Sequence, residues 1–461
     1  MLEDILKEKK SLFETSMQSI LRGQENRVRR IVVQQGNLVV NERSEQNGVS
    51  AKVYKNGVNG FASMAEYTPD AAEMVLKAAT ENAHYLHKYA KKEKPALSAY
   101  RSGWAESKRF IIDFEQKKLV DICRQVDSYI AEKYPKLTSR TVVYREDTME
   151  KVIYTSDAFD GHVAYPRCCM YVVLNMESKD GQPLELMDVI GGFGHADDWF
   201  TDLSVVYEKI DNVYKKLCDK AEGVYAEAGV KTVILAPDVA GMIAHEAVGH
   251  TVEADLVIGG SVAGPNLGKQ VASELVSIVD YAHTAFGTQA PLPVYLDDEG
   301  IKAEDAVLVE NGILKGYMHN RETADRFGVT ACGNARGYSF SDEPLIRMRN
   351  TVVLPGKDTL EDMIASVDDG YYLLSTGNGQ ADLTGEFMFG INMGYEIKHG
   401  KLGRAILDTT VSGVAFDMLK TVDMVSDKVK WEAAGTCGKK QMMAVSMGGP
   451  AIRCQITIGG R

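Results

Sequence analysis

Two asparagine–glycine pairs, Asn56-Gly57 and Asn311-Gly312, limit what this chain can fold into, because each lies between runs rich in β-branched and aromatic residues. A two-residue hairpin turn needs positive φ at both central positions, which Asn and Gly tolerate, so the flanking runs must return antiparallel on themselves. The first pair sits in "VSAKVYKNGVNGFAS" and the second between "AVLVE" and "ILKGYM". Gly36-Asn37 in "RIVVQQGNLVV" predicts another such turn, and "GYEIKHGKLG" a further one.

Helices are interleaved with these strands. Leu2, Ile5, Leu6, Leu12, Phe13, Met17, Ile20 and Leu21 recur at helical spacing and predict an opening amphipathic helix of about five turns. Thr68-Pro69-Asp70 reads as a cap and first turn, while Leu119, Ile122, Cys123, Val126 and Ile130, then Leu203, Val206, Ile210, Val213 and Leu217, form two more stripes. Between them, "TVVYRED", "KVIYTSD" and "RCCMYVVLNM" are extended. No catalytic constellation stands out in this half: His84 and His87 lack a third ligand and read as a surface pair, and "GGFGHADDW", with His195, Asp197 and Asp198, reads as a glycine-rich loop.

A chain of 461 residues, 45% hydrophobic and 25% charged, divides into about two or three domains. The boundary falls near "AEAGVKT", residues 226–232, after which a short strand, "VILA", meets Pro237 and a helix. The predicted fold class is α+β: a mixed α/β N-terminal domain, residues 1–228, and a sheet-rich C-terminal domain, residues 229–461, with one helix laid against its sheet.

With 52 basic against 64 acidic residues the net charge is -12, and no basic run offsets it, which disfavours nucleic acid and anionic membrane as partners. The opening "MLEDILKEKK" lacks the apolar core of a signal peptide, and no 18 apolar residues run together. Seven scattered cysteines suit a reducing compartment, so a cytoplasmic location is expected.

The helix after Pro237 carries the chemistry. In "AGMIAHEAVGHTVEAD", His245 and Glu246 open what resembles a zinc-protease signature, but His250 follows five residues on instead of four. On a regular helix positions five apart are splayed by about 140°. A π-bulge, in which hydrogen bonds reach five residues back, absorbs one extra residue, and Gly249 has no side chain to crowd the wider turn. A bulge between residues 245 and 250 is therefore predicted. Neutral imidazoles bind zinc, a third protein ligand leaves a position for water, and Glu246 is the candidate base. Glu253 and Asp255 are candidates to orient the imidazoles, and Glu253 is equally a candidate ligand. Against this, histidines and a glutamate fall at such spacing by chance, and the helix could be merely structural.

The third ligand must come from elsewhere. Cys437 in "AAGTCGKKQ" and Cys332 in "TACGNARG" both sit on glycine-rich backbone, and spacing does not choose between them. Cys168, Cys169 and Cys454 lie in strand-like runs and read as small buried hydrophobes. "STGNGQADLTGE" is open to two readings, a strand edge that holds a peptide backbone or a turn. Arg336, Arg347 and Arg349 offer charge to an oxyanion or a peptide carboxylate, and each singly reads as a structural salt bridge.

"HEAVGHTVEAD", "LVENGILKGYM", "TVVLPGKDTLEDMI" and "CGKKQMMAVSMGGPAIRCQITIGG" together resemble the TldD branch of the TldD/PmbA metallopeptidases, also called modulators of DNA gyrase. The resemblance runs through nearly all of residues 230 to 461. It implies a C-terminal metallopeptidase domain with zinc (Zn2+) on His245, His250 and, from its C-G-K context, Cys437, with Glu246 as catalytic base. It further implies hydrolysis of small or unfolded peptides by attack of a metal-bound water, and pairing as a homodimer or as a heterodimer with a TldE/PmbA-like subunit. In two places the chain departs from the family pattern: Lys440 runs straight into Gln441 where a glycine usually intervenes, and Ala254 replaces a common glycine. The rival function is a non-catalytic modulator, gyrase- or antitoxin-related, that binds peptide or protein and in which the histidine helix is structural.

Overall fold

The structure is a computed structural model that describes residues 2–91, 94–107 and 114–459. Its first half is built on one eight-stranded sheet, ordered β3-β2-β1-β5-β6-β4 with β7 and β8 continuing from β5. The strands are β1 (Gln18–Gln34), β2 (Asn37–Lys55), β3 (Val58–Met64), β4 (Gly103–Glu106), β5 (Ser139–Thr155), β6 (Phe159–Tyr165), β7 (Arg167–Glu177) and β8 (Pro183–Phe193). "TVVYRED" and "KVIYTSD" are the two ends of the single strand β5. The Asn56-Gly57 turn is where the sequence predicts it, both residues at positive φ, whereas the first turn uses Gln35 and Gly36, one residue earlier than Gly36-Asn37.

Helix α1 (Leu2–Lys7) ends far short of five turns and passes through a 3₁₀ turn at Glu8–Leu12. The apolar spacing misleads because the start of β1 is buried on both faces, with Ser19, Ile20, Leu21 and Arg22 all inside, so its pattern lacks the alternation of a half-exposed strand. Helix α2 (Pro69–Lys88) starts where predicted, the Thr68 side chain accepting from the Ala71 amide, and its alanine-rich face covers β2 and β3. Helices α3 (Gln116–Lys133) and α5 (Ser204–Ala221), with the short α4 (Ala196–Phe200) between them in sequence, close a second core against β5, β7 and β8. His84 bonds Lys55 and Glu14 on the surface of α2, and His195 caps α4.

From residue 229 the sheets are separate from the first. In one of them, β9 (Gly229–Leu235), Ile452–Ile458, Thr409–Val414, Glu386–Lys398 and Asp369–Ala381 pair in a closed ring, since Asp369–Ala381 meets both Glu386–Lys398 and β9. Closing the ring leaves few strand edges, and its interior is filled by residues such as Leu235, Leu373, Phe389 and Ile456. A six-stranded sheet lies beside it. "STGNGQA" continues the strand Asp369–Ala381 and "DLTG" makes the turn; beyond Leu373 this strand pairs on one side only. The Asn311-Gly312 and His399-Gly400 turns are formed as predicted.

The histidine helix is not alone in this half. Among the described residues four short α-helices, Ala254–Ile258, Arg321–Phe327, Leu360–Ala365 and Ala415–Lys420, accompany it. At five to seven residues each is too short to print a 3.6-residue stripe, although Asn320 and Thr359 do cap two of them. Two cores cross from one half to the other: Met393 and Ala405 pack among α3 and α5, and Leu292, Val294 and Leu296 pack against Ile20, Met149 and Val163.

Candidate metal centre

Helix α6 (Pro237–Met242) leads directly into a π-helical segment, Ile243–Gly249. The His250 amide donates to the His245 carbonyl, five residues back, which is the widened turn that H-E-x-x-x-H requires. The widened turn leaves no room for a side chain at Gly249, where a Cβ would come within 2.1 Å of Met348 Sδ. The widening brings both imidazoles to one side, their ring centroids 5.3 Å apart and their planes at 80°.

Cys437 reaches the same place from a hairpin of two strands, Thr436–Lys439 and Gln441–Ala444, that turns at Lys440 with φ 58°. Its Sγ lies 3.2 Å from His250 Nε2. Ligand atoms of His245, His250 and Cys437 all fall within 4.8 Å of one another, the one such cluster of histidine, cysteine and carboxylate among the described residues. Cys332 is elsewhere, its Sγ directed to the Thr330 carbonyl. The cluster fits a metal on two counts. Its donors, two imidazoles and a thiol, are those that bind zinc, and His245 Nδ1 is buried with no protein hydrogen-bond partner.

Glu246 faces both histidines, with carboxylate oxygens 4.0 Å from His245 Nε2 and 3.7 Å from His250 Nε2. Burial raises its pKa above the usual carboxylate range. Burial, aided by the neighbouring His250 and Arg347, lowers that of His245 far below the histidine norm. Burial also opposes charge on His250, yet the Cys437 thiol and Glu253 outweigh it and lift the pKa to about 10. Glu253 Oε2 lies 2.8 Å from His250 Nδ1; in the neutral imidazole that binds a metal, this places the proton on Nδ1 and leaves the Nε2 lone pair toward Cys437.

Asp255 does not touch an imidazole, contrary to the sequence reading. The backbone turns extended at Glu253, with ψ 121°, and Asp255 enters a new helix where it binds Lys439 at 2.7 Å. Lys439 also approaches Glu253 Oε2 at 3.3 Å, so it ties the Cys437 hairpin to the carboxylate that holds His250. The signal for Lys439 was present in sequence, since in a strand it shares the face of Cys437 two residues before it. The three arginines are spent on structure. Arg349 pairs with the fully buried Asp280, Arg336 donates to the Met348 carbonyl, and Arg347 donates to carbonyls of the Cys437 hairpin.

A histidine pair on a widened helix, completed by a distant thiol and flanked by a half-buried carboxylate, is a donor set of the kind that metal-dependent hydrolases use. Residues 228–460 match the family model described as the PmbA/TldA metallopeptidase C-terminal domain. A metalloprotease of Methanocaldococcus jannaschii is 32% identical over 425 residues, covering 89% of this chain and 90% of that protein. The chain therefore belongs to the PmbA/TldD metallopeptidase family. A protein of Saccharolobus solfataricus named as a zinc metalloprotease TldD homolog is 30% identical over 350 residues, 75% of this chain and 76% of that one. The fold is also that of TldE from Thermococcus kodakarensis, with a TM-score of 0.77 over 100% of both chains at 17% identity. No helix among the described residues is long and apolar enough to cross a membrane.

Proposed function

We propose that this chain is a zinc metallopeptidase that hydrolyses small or unfolded peptides, with His245, His250 and Cys437 as metal ligands and Glu246 as the proton-transferring carboxylate. One observation carries the reading: donors from segments 187 residues apart converge within 4.8 Å beside a half-buried glutamate. Zinc, when bound, supplies Lewis acidity that acidifies water and polarises a carbonyl. Two imidazoles and one thiolate suit that ion, and the S. solfataricus relative's name supports it. Glu246 takes a proton from water and returns it to the leaving amine, and its raised pKa brings it closer to neutral pH, where such an exchange is most effective. Glu253 keeps the His250 proton on Nδ1 and so acts as an orienting group in preference to a ligand. Asp255 acts at one remove, through Lys439.

The proposal includes a second subunit, either another copy or a TldE/PmbA-like chain, supported by the shared fold with TldE. It retains a division into residues 1–228 and 229–461, supported by sheets that do not cross residue 229, and a cytoplasmic location, supported by seven cysteines none of which is in a disulfide. The test combines metal analysis with digestion of a peptide library. Glu246→Gln is expected to keep stoichiometric zinc and to lose about 10²- to 10⁴-fold in turnover. Full activity in that variant would sink the role of Glu246, and a wild-type chain that takes up no zinc would sink the whole reading.

A further inference from the structure

Arg347 is fully buried, and no carboxylate is paired with it among the described residues, unlike Arg349 two positions on, which has Asp280. A buried guanidinium without a counter-ion is costly unless its donors are well used. Nε is buried without a partner among the described residues, and the donors that are used go to one place. Nη2 donates to the Cys437 carbonyl at 2.7 Å, and Nη1 to the Gln441 carbonyl at 2.7 Å and the Lys439 carbonyl at 3.5 Å. These three carbonyls lie on both strands of the hairpin that bears Cys437.

That hairpin needs an anchor, because its two strands pair only with each other, and an isolated two-stranded ribbon is marginal in stability. Met443 and Ala444 pin its second strand in a core to which no residue of the first strand, Thr436–Lys439, belongs. Arg347 is itself fixed from behind. Its amide donates to the Asn334 carbonyl at 2.8 Å, and Asn334 Nδ2 donates to the Arg347 carbonyl at 3.1 Å and to the buried Asp280 at 2.9 Å.

We propose that Arg347 is a positioning residue that clamps the Cys437 hairpin through its main-chain carbonyls and so sets the thiol against the two histidines. The consequence for metal binding rests on the reading of Cys437 as a ligand; the clamp itself does not. Arg347→Met removes every donor at similar length, and Arg347→Lys keeps the charge but cannot span both strands.

In the metal-free full chain, alkylation by iodoacetamide is followed for each cysteine by peptide mapping, with buried Cys123 and Cys454 reporting global opening. Cys437 is expected to react at least about tenfold faster in Arg347→Met, with Cys123 and Cys454 unchanged. In a second measurement, cobalt(II) reports the sulfur ligand through its thiolate charge-transfer band. The band is expected to weaken, with metal affinity falling about 10- to 100-fold and Arg347→Lys in between. Should Arg347→Met fail to fold, Arg347→Lys carries both measurements. Alkylation of Cys437 as slow as in the wild type in every folded variant overturns the clamp. A wild-type chain that binds no cobalt refutes the metal reading while leaving the alkylation result to decide on Arg347.

Discussion

At the level of single residues, the centre depends on which side of His250 carries its proton. Glu253 is fully buried, and its Oε2 lies on His250 Nδ1. Glu253→Gln removes the charge that favours a donating Nδ1 and is expected to weaken zinc binding by about 10- to 100-fold in a chelator competition. Unchanged affinity would remove Glu253 from the site. His245, Glu246 and His250 were legible because helical geometry alone relates them. Cys437 was not separable from Cys332 by spacing, since both follow small residues on glycine-rich backbone and only long-range packing aims one of them. Asp255 misled because a helix read as continuous to residue 255 in fact breaks at Glu253.

At the level of elements, the π-helical segment and the Cys437 hairpin are each shaped by a neighbour. Gly249→Ala would drive a Cβ into Met348 Sδ, and overpacking of this kind costs about 1–3 kcal/mol, which thermal unfolding of the metal-free chain should register as a lowered Tm. An unchanged Tm would mean that Met348 yields freely and that the bulge does not depend on glycine. At the other end of the chain, α1 is held by Leu6 in a core and by His162, whose Nδ1 lies 2.7 Å from Glu3 and Nε2 2.8 Å from Glu150. Hydrogen bonding to Glu150, then to Glu3, raises the His162 pKa against the effect of burial. A raised folded pKa means that the stabilisation is complete below the ordinary value of about 6.5 and is lost as pH rises through the folded value. The gap in urea midpoint between the wild type and His162→Gln should therefore be widest near about pH 6 and close toward alkaline pH. A gap that widens with pH would refute the assignment. The short extent of α1 itself was hidden by a strand buried on both faces.

Across the whole molecule, the two halves are joined by charge as well as by packing. Lys151, on β5, donates to both oxygens of Asp298 at 2.9 and 2.7 Å, and Arg22 Nη1 lies 3.3 Å away, all three side chains buried. Asp298→Ala leaves two buried cations without their carboxylate, and removing one partner of such a group costs about 3–5 kcal/mol. Chemical denaturation should show that loss in the midpoint; a loss under about 1 kcal/mol, typical of an exposed pair, would mean that the network is solvated. "LDDEG" gave no hint of this role in sequence, since a run of acids reads by default as surface. Closure of the strands after residue 229 into a ring was equally silent, because each hairpin is specified locally while the pairing of Asp369–Ala381 with β9 joins segments more than 130 residues apart.

What the sequence determined alone was local: the hairpins, whose asparagines and glycines accept positive φ, the capped helices, and the demand for one extra residue per turn between His245 and His250. Those follow from torsional preference and helical period, which act within a few residues. Tertiary structure decided the rest, namely that Cys437, which spacing left level with Cys332 and the family resemblance alone favoured, reaches the histidines, that Lys439 and Arg347 serve its hairpin, and that Asp298 is buried. Each of these depends on donors and acceptors far apart in the chain meeting in the interior, where an unpaired polar group is costly and partner choice is set by packing.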